Sequence, residues 1–210
     1  MLLHDCTTAP NCRRVRIFAA EKGIELPSRQ VDLKRGEHLG EAFLALNPDA
    51  TVPVLELDDG TALGESVAIC QYLEELYPQP RLLGTDAADR ARVSMWQRRM
   101  EQVGLQAVAE AFRNEAPGLR DHALPGPRPV AQLPALAERG RLRYGWFLED
   151  LERRLAEVAF VAGERFTIAD ITALVAVDFA RRAMGTEPPA EGAGLARWYR
   201  EVSARPSAGA

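Results

Sequence analysis

The N-terminal part of the chain alternates between strand-like and helix-like patterns of apolar and polar positions. The apolar opening Met1-Leu2-Leu3-His4 predicts a short strand. A polar bend, Asp5-Cys6-Thr7-Thr8-Ala9, then leads to Pro10 and a helical run from Asn11 to Lys22 that Gly23 closes, with proline at the start and glycine just past the end. Val15, Phe18, Ala19 and Lys22 recur at spacings of three and four, the period of one helix face. Glu25 to Leu33 reads as a second strand running into the charged loop Lys34-Arg35-Gly36-Glu37-His38, and Glu41 to Leu46 as a short helix stopped by Asn47-Pro48. Val52 to Leu57, the turn Asp58-Asp59-Gly60 and Thr61 to Leu63 form a hairpin. Glu65 to Tyr77 is a helix expected to bury Val67, Ile69, Cys70, Leu73 and Leu76.

After the proline-rich stretch Pro78 to Gly84 the strand signal ends. Asp86 to Arg113 is a long helical stretch interrupted by Gly104, and Glu138 to Glu157, Phe166 to Met184 and Leu195 to Ala204 complete the helices. Between them, residues 115–134 carry Pro117, Pro125, Pro127, Pro129 and Pro134, a loop longer than compact domains usually hold without a functional reason. Thr167 with Asp170 three positions on is a capping box, and Phe166 with Ile171 a hydrophobic staple. The architecture expected is an α/β domain over residues 1–78, a linker over 79–88 and an all-α domain over 89–210.

Composition narrows the function. Hydrophobic residues are 47% and charged residues 27%, an ordinary globular balance. The 26 basic and 30 acidic residues leave a net charge of -4, the wrong sign for a non-specific nucleic-acid binder. No apolar run reaches the roughly 18–20 residues of a membrane span. The opening Met1 to Asp5 is too short and too soon polar for a secretory signal. Cys6, Cys12 and Cys70 are an odd set in a chain too long to need staples, which points to reduced thiols and the cytoplasm. No histidine or cysteine spacing suggests a metal.

Two local signals carry chemistry. Val52-Pro53 stands at the mouth of the hairpin, where a proline is either an ordinary trans strand start or a cis turn that frees the Val52 amide and carbonyl to pair with an extended ligand. Glu65-Ser66 opens a helix, where the pair either caps that helix or meets a ligand's ammonium and carboxylate. Asn11-Cys12-Arg13-Arg14-Val15-Arg16-Ile17, Val52-Pro53-Val54-Leu55, Glu65-Ser66 and Ala162-Gly163-Glu164-Arg165-Phe166-Thr167-Ile168-Ala169-Asp170, in that order, resemble the cytosolic glutathione S-transferase family over nearly the whole chain.

The resemblance implies a thioredoxin-like domain followed by a helical one, glutathione as cosubstrate, no metal and a homodimer. It favours a cis bond at Pro53 and a ligand role for Val52, Pro53, Glu65 and Ser66, with His38 at the glycine carboxylate and Arg35 or Lys34 as alternates; a solvated charge run is the other reading of that loop. Related enzymes carry a Tyr, Ser or Cys thiol donor in the bend, but Ala9 stands at that position here, as a small residue does in a bacterial and fungal subgroup. Lowering a thiol pKa from near 8.5 by about two units takes about 2.7 kcal/mol, and a helix N-terminus supplies roughly 0.3–2 kcal/mol, so a hydrogen bond from a hydroxyl, an amide or an ordered water must add the rest. Thr8, Asn11 and Cys12 are the candidates, Cys12 also reading as a buried inert thiol. The electrophile site is expected from Thr7, Gln106, Glu110, Phe112, Arg113 and Asn114, with a small, partly apolar substrate. The alternatives are a glutathione-binding or interaction module without turnover, and a thiol-disulfide reductase using Cys6 or Cys12.

Overall fold

The computed structural model describes residues 1–187 and 194–210. Its N-terminal half runs β1 (Leu2–Asp5), α1 (Pro10–Glu21), β2 (Ser28–Gln30), α2 (Glu41–Leu46), β3 (Val54–Glu56), β4 (Ala62–Leu63) and α3 (Ser66–Leu76). The four strands form one sheet in the order β2-β1-β3-β4, with β2 parallel to β1 and the other two pairings antiparallel. The helical half follows as α4 (Ala87–Arg99), a π-helical turn Met100–Leu105, α5 (Gln106–Glu115), α6 (Pro134–Leu155), α7 (Ile168–Met184) and α8 (Leu195–Ser203). This is the α/β domain followed by a helical domain that the pattern predicted, with the thioredoxin-like sheet that the resemblance implied.

Two expectations need correction. The second strand shrinks to three exposed residues, because Ser28–Gln30 is a sheet edge that pairs on one side only. Leu76 is 49% exposed, since the last turn of α3 runs past the core, and Val67 is only half-buried. Gly104, the expected interruption, lies in the π-helical turn, where the Phe147 ring leaves no room for a Cβ.

The two halves meet along α1. Val15, Ile17 and Phe18 are fully buried in a core shared with α3 and with Leu174, Val175 and Val177 of α7. Arg13 bonds Asp178 of α7 at 2.7 Å and the Ala208 carbonyl at 2.9 Å, and Glu21 takes Arg205 at 2.6–2.7 Å. The connection between the halves is clamped: the Glu74 carboxylate accepts from the amides of Leu82 and Leu83, while Lys22 reaches Glu74 at 2.6 Å and the carbonyls of Tyr77 and Pro80.

Asp170, in the first turn of α7, is fully buried and completes the capping box: its Oδ2 accepts from the Thr167 amide at 2.9 Å, and its Oδ1 from the Val161 amide and the Trp198 indole. Burial pushes its carboxyl up to about 6 against the pull of those donors. Folding therefore takes up a proton between an unfolded value near 3.9 and that value. The group's contribution is full below about pH 4 and is lost as pH rises through 6. Asp170→Ala strands three buried donors and is expected to cost about 3 kcal/mol or more of unfolding free energy at pH 7. Urea denaturation measures this, and an unchanged midpoint would contradict it.

Candidate active site

The registers gather the candidate residues at one end of the sheet. His4 of β1 faces both Arg29 of β2 and Val54 of β3, and Leu55 faces Leu63 of β4. The ends of β1, β2 and β4 and the start of β3 therefore coincide, and the bend 6–9, the loop 31–38, Val52-Pro53 and Glu65-Ser66 all emerge there. Pieces that are weak alone in sequence thus share one rim.

The bend is held from beneath. Asp5, nearly fully buried, takes Arg16 Nη1 at 2.6 Å on one oxygen and Gln30 Nε2 at 2.7 Å on the other. Gln30 Oε1 in turn accepts from the Thr7 amide and hydroxyl at 3.0 and 2.8 Å, and Arg16 Nη2 donates to the Thr7 carbonyl. Sequence reading missed Gln30 and Arg16 because their partners lie far along the chain. Around this network Cys6, Thr7, Thr8, Gln30 and the start of the following loop line a cavity of about 310 Å³.

The start of α1 is uncapped by any side chain. A helix leaves its first four amides without intrahelical acceptors. Here the Ala9 amide donates to the Cys6 carbonyl at 2.9 Å and Pro10 has none, so the amides of Asn11 and Cys12 remain, with no acceptor among the described residues. They are joined by the positive end of the helix dipole. Asn11 is half-buried, and its Oδ1 is shielded from solvent without a partner among the described residues. Thr8 is exposed, its hydroxyl 3.4 Å from Cys6 Sγ.

Val52 precedes the last ladder pair of β3, so its backbone lies outside the sheet, and the Val52-Pro53 bond is cis as the resemblance favoured. Gln79-Pro80 is a second cis bond that the sequence did not suggest. Glu65 is exposed with φ +57, a left-handed conformation that a glutamate adopts only where its surroundings impose it. Ser66, 3% exposed, is the first residue of α3. His38 sits in a short 3₁₀ turn, Glu37–Leu39, while Arg35 is exposed and loosely paired with Asp32 at 3.6 Å.

The remaining candidates have settings of their own. Cys12 is 0% exposed; burial drives its thiol far above the usual range and the Cys6 amide points at its sulfur, so only its backbone faces the rim. Glu110 is taken by Arg139 and by Arg143 at 3.1 Å, which commits it to the packing of α5 on α6. Asn114 is buried and ties the Leu133 amide to α5. Gln106 is exposed, and Phe112 packs edge-on against Phe179. Arg113 is half-buried and donates to the His122 carbonyl at 2.8 Å. Among the described residues no cluster suits a metal ion, and no helix is long and apolar enough to cross a membrane.

Comparisons with known proteins give one family. The model for the glutathione S-transferase N-terminal domain matches residues 3–81, and that for the C-terminal domain matches residues 134–201. The chain is 35% identical to glutathione S-transferase 2 of Saccharomyces cerevisiae, over 99% of this chain and 87% of that protein. Maleylacetoacetate isomerase of Pseudomonas aeruginosa is 48% identical over 94 residues, 44% of each. Among solved structures, a glutathione S-transferase domain-containing protein of Marinobacter aquaeolei VT8 superposes with a TM-score of 0.90 at 38% identity, covering 99% of both chains. Gtt2 of Saccharomyces cerevisiae superposes with a TM-score of 0.89 at 33% identity, covering 99% of this chain and 98% of that one.

Burial of Cys12 has a direct consequence. Cys12→Ala is expected to lower stability by about 1 kcal/mol through lost packing while leaving turnover within about threefold. Steady-state rates alongside thermal melts decide it: a hundredfold loss of rate in a folded variant would return Cys12 to the chemistry.

Proposed function

The chain belongs to the glutathione S-transferase family and is a glutathione transferase, and we propose that it ionises the glutathione thiol at the uncapped start of α1 and transfers it to a small, partly apolar electrophile. The observation that carries this reading is the pair of free amides, of Asn11 and Cys12, on the rim where Val52 and Ser66 also emerge. Glutathione then lies extended, its cysteinyl backbone pairing with the Val52 backbone as an added strand would. Its γ-glutamyl carboxylate meets Ser66 and the amides opening α3, and its ammonium meets Glu65. His38 or Arg35 takes the glycyl end.

The energetics close without a hydroxyl at position 9. About 2.7 kcal/mol of preferential thiolate stabilisation is needed for a shift of two units. Hydrogen bonds to a charged acceptor contribute about 1.5–3 kcal/mol each, so two amides and the dipole suffice. Thr8, exposed beside Cys6, adds a hydroxyl donor at the mouth. With an aryl chloride the thiolate sulfur forms the new bond to carbon, chloride leaves with the bonding pair, and the thiol proton passes to solvent. The described lining offers both polar and apolar groups, from Thr7 and Thr8 to Val31 and Leu33, in keeping with a small substrate of mixed character.

A reductase working through Cys12 is disfavoured by that residue's burial. We also place the enzyme in the cytoplasm as a homodimer; its three cysteines are free and buried, which suits a reducing compartment.

Calorimetric titration with glutathione, followed by turnover of 1-chloro-2,4-dinitrobenzene, tests the reading; binding without turnover of any aryl halide would contradict it. Ser66→Ala is expected to weaken glutathione binding about tenfold, the worth of one hydrogen bond to a charged group, with the melting temperature unchanged. An unchanged Kd would remove Ser66 from the site.

A further inference from the structure

A second cavity, of about 410 Å³, lies in the helical half between α4, the end of α6 and the turn that leads into α7. It is far from the rim. α1 and α7 run antiparallel: Arg13 at the start of α1 bonds Asp178, whereas Glu21 at its end holds Arg205, whose guanidinium lies 4.1 Å over the Phe166 ring, next to Thr167. Thr167 lines the cavity, and from Thr167 to Asp178 is roughly 16 Å along the helix axis. The cavity and the thiol site therefore stand at opposite ends of α7.

Three guanidinia line it, Arg92 of α4, Arg154 of α6 and Arg165 of the turn, against two carboxylates, Asp89 and Glu164. Asp89 is already taken. Arg165 bonds one of its oxygens, which also accepts from the Thr85 amide and hydroxyl, and Arg92 stands 3.5 Å from the other. Glu164 is exposed. Arg154 is held differently: its Nε donates to the Val161 carbonyl at 3.1 Å and its guanidinium lies 4.5 Å over the Trp96 ring, while its two Nη groups have no acceptor among the described residues. The walls around it are fixed. Phe160 and Gly163 exchange backbone hydrogen bonds at 2.8 and 3.0 Å, Asp170 holds the Val161 amide, and Arg165 Nη1 reaches the Arg81 carbonyl at 3.0 Å. Gly163, at φ +145, leaves its side of the cavity without a side chain.

We propose that this cavity binds an organic phosphate, with Arg154 as its anchor and Arg92 and Arg165 on the remaining phosphate oxygens. A guanidinium offers a planar fork of donors that matches phosphate, and a phosphate accepts such forks from several sides at once, where a carboxylate presents one edge. Arg154 is fixed by its carbonyl bond and its ring contact before the ligand arrives, so little side-chain freedom is lost on binding. The lining carries one positive charge in excess, Asp89 orients the other two arginines, and Glu164 accepts from hydroxyls on the organic part. A volume of about 410 Å³ exceeds a bare phosphate and falls in the ordinary range of small-molecule sites, which is why the ligand is an ester. Nothing in this assignment depends on the transferase reading.

Calorimetric titration of the intact chain with glucose 6-phosphate tests it, at constant ionic strength because salt screens such contacts. The expected result is saturable binding with a Kd of about 1 mM or tighter, about tenfold weaker for inorganic phosphate and absent for glucose. Arg154→Gln is expected to weaken binding at least about tenfold. Arg153→Gln removes an exposed neighbour that pairs with Asp150 outside the cavity, and is expected to leave Kd within about twofold. Should Arg154→Gln fail to fold, Arg92→Gln decides, since that side chain is largely exposed and its ion pair is 3.5 Å long; a loss of about threefold or more supports the site. The same Kd in the presence of glutathione supports a cavity apart from the rim. The proposal is overturned if wild type shows no saturable binding or binds inorganic phosphate as tightly as the sugar phosphate, if the lining variants match wild type, or if glutathione competes.

Discussion

An α-helix that begins without a cap is an unfinished structure, and the start of α1 is unfinished at a chosen place. Ala9 offers no side-chain acceptor, and Pro10 has no amide to satisfy. The two amides that follow therefore point their dipoles at whatever occupies the rim. A serine, threonine or aspartate at position 9 would cap the helix and add stability of about 1 kcal/mol, while competing for the same donors. Forgoing that cap leaves the donors for a ligand atom that carries negative charge, and a thiolate is such an atom.

The rest of the molecule keeps that helix end in register with the groups that hold the remainder of the ligand. The sheet aligns four chain segments at one end, and the Asp5, Arg16 and Gln30 network fixes the bend between β1 and α1. Behind it, α1 is packed between α3 and α7, and the Glu74 and Lys22 clamp fixes the connection between the halves. The capping box at Thr167 and Asp170 anchors α7, against which α1 is seated. Devices that look purely structural thus set the position of the donors.

The sequence made the elements legible wherever local chemistry decides them. Pro10 and Gly23 bracket α1, Asn47-Pro48 ends α2, and Thr167 with Asp170 starts α7, each through contacts within a few residues. It was weaker where the outcome depends on partners distant in sequence. The apolar positions from Glu25 to Leu33 suggested a longer strand than the three-residue edge that pairs with β1. Glu110 and Asn114 have the polar character of ligand contacts, yet α6 and Leu133 claim them. His122 stood alone in the sequence, with nothing nearby to give it a role, and in the structure its carbonyl holds Arg113 at 2.8 Å. Of the site, Val52-Pro53 and Glu65-Ser66 were readable because motif order located them. The start of α1 was readable as the place of thiol activation, with an amide among the possible donors, but not that Asn11 and Cys12 are the amides left over, since that depends on what Ala9 and Pro10 fail to provide.

The central claim is that backbone amides at the start of α1, with no side-chain hydroxyl at position 9, lower the thiol pKa of bound glutathione. Titrating the thiolate absorbance near 240 nm of the enzyme–glutathione complex measures this directly. The account expects an apparent pKa about two units below that of free glutathione, retained in Thr8→Val and Cys12→Ala. A bound thiol titrating near its free value would contradict it, as would a shift abolished by removing either side chain.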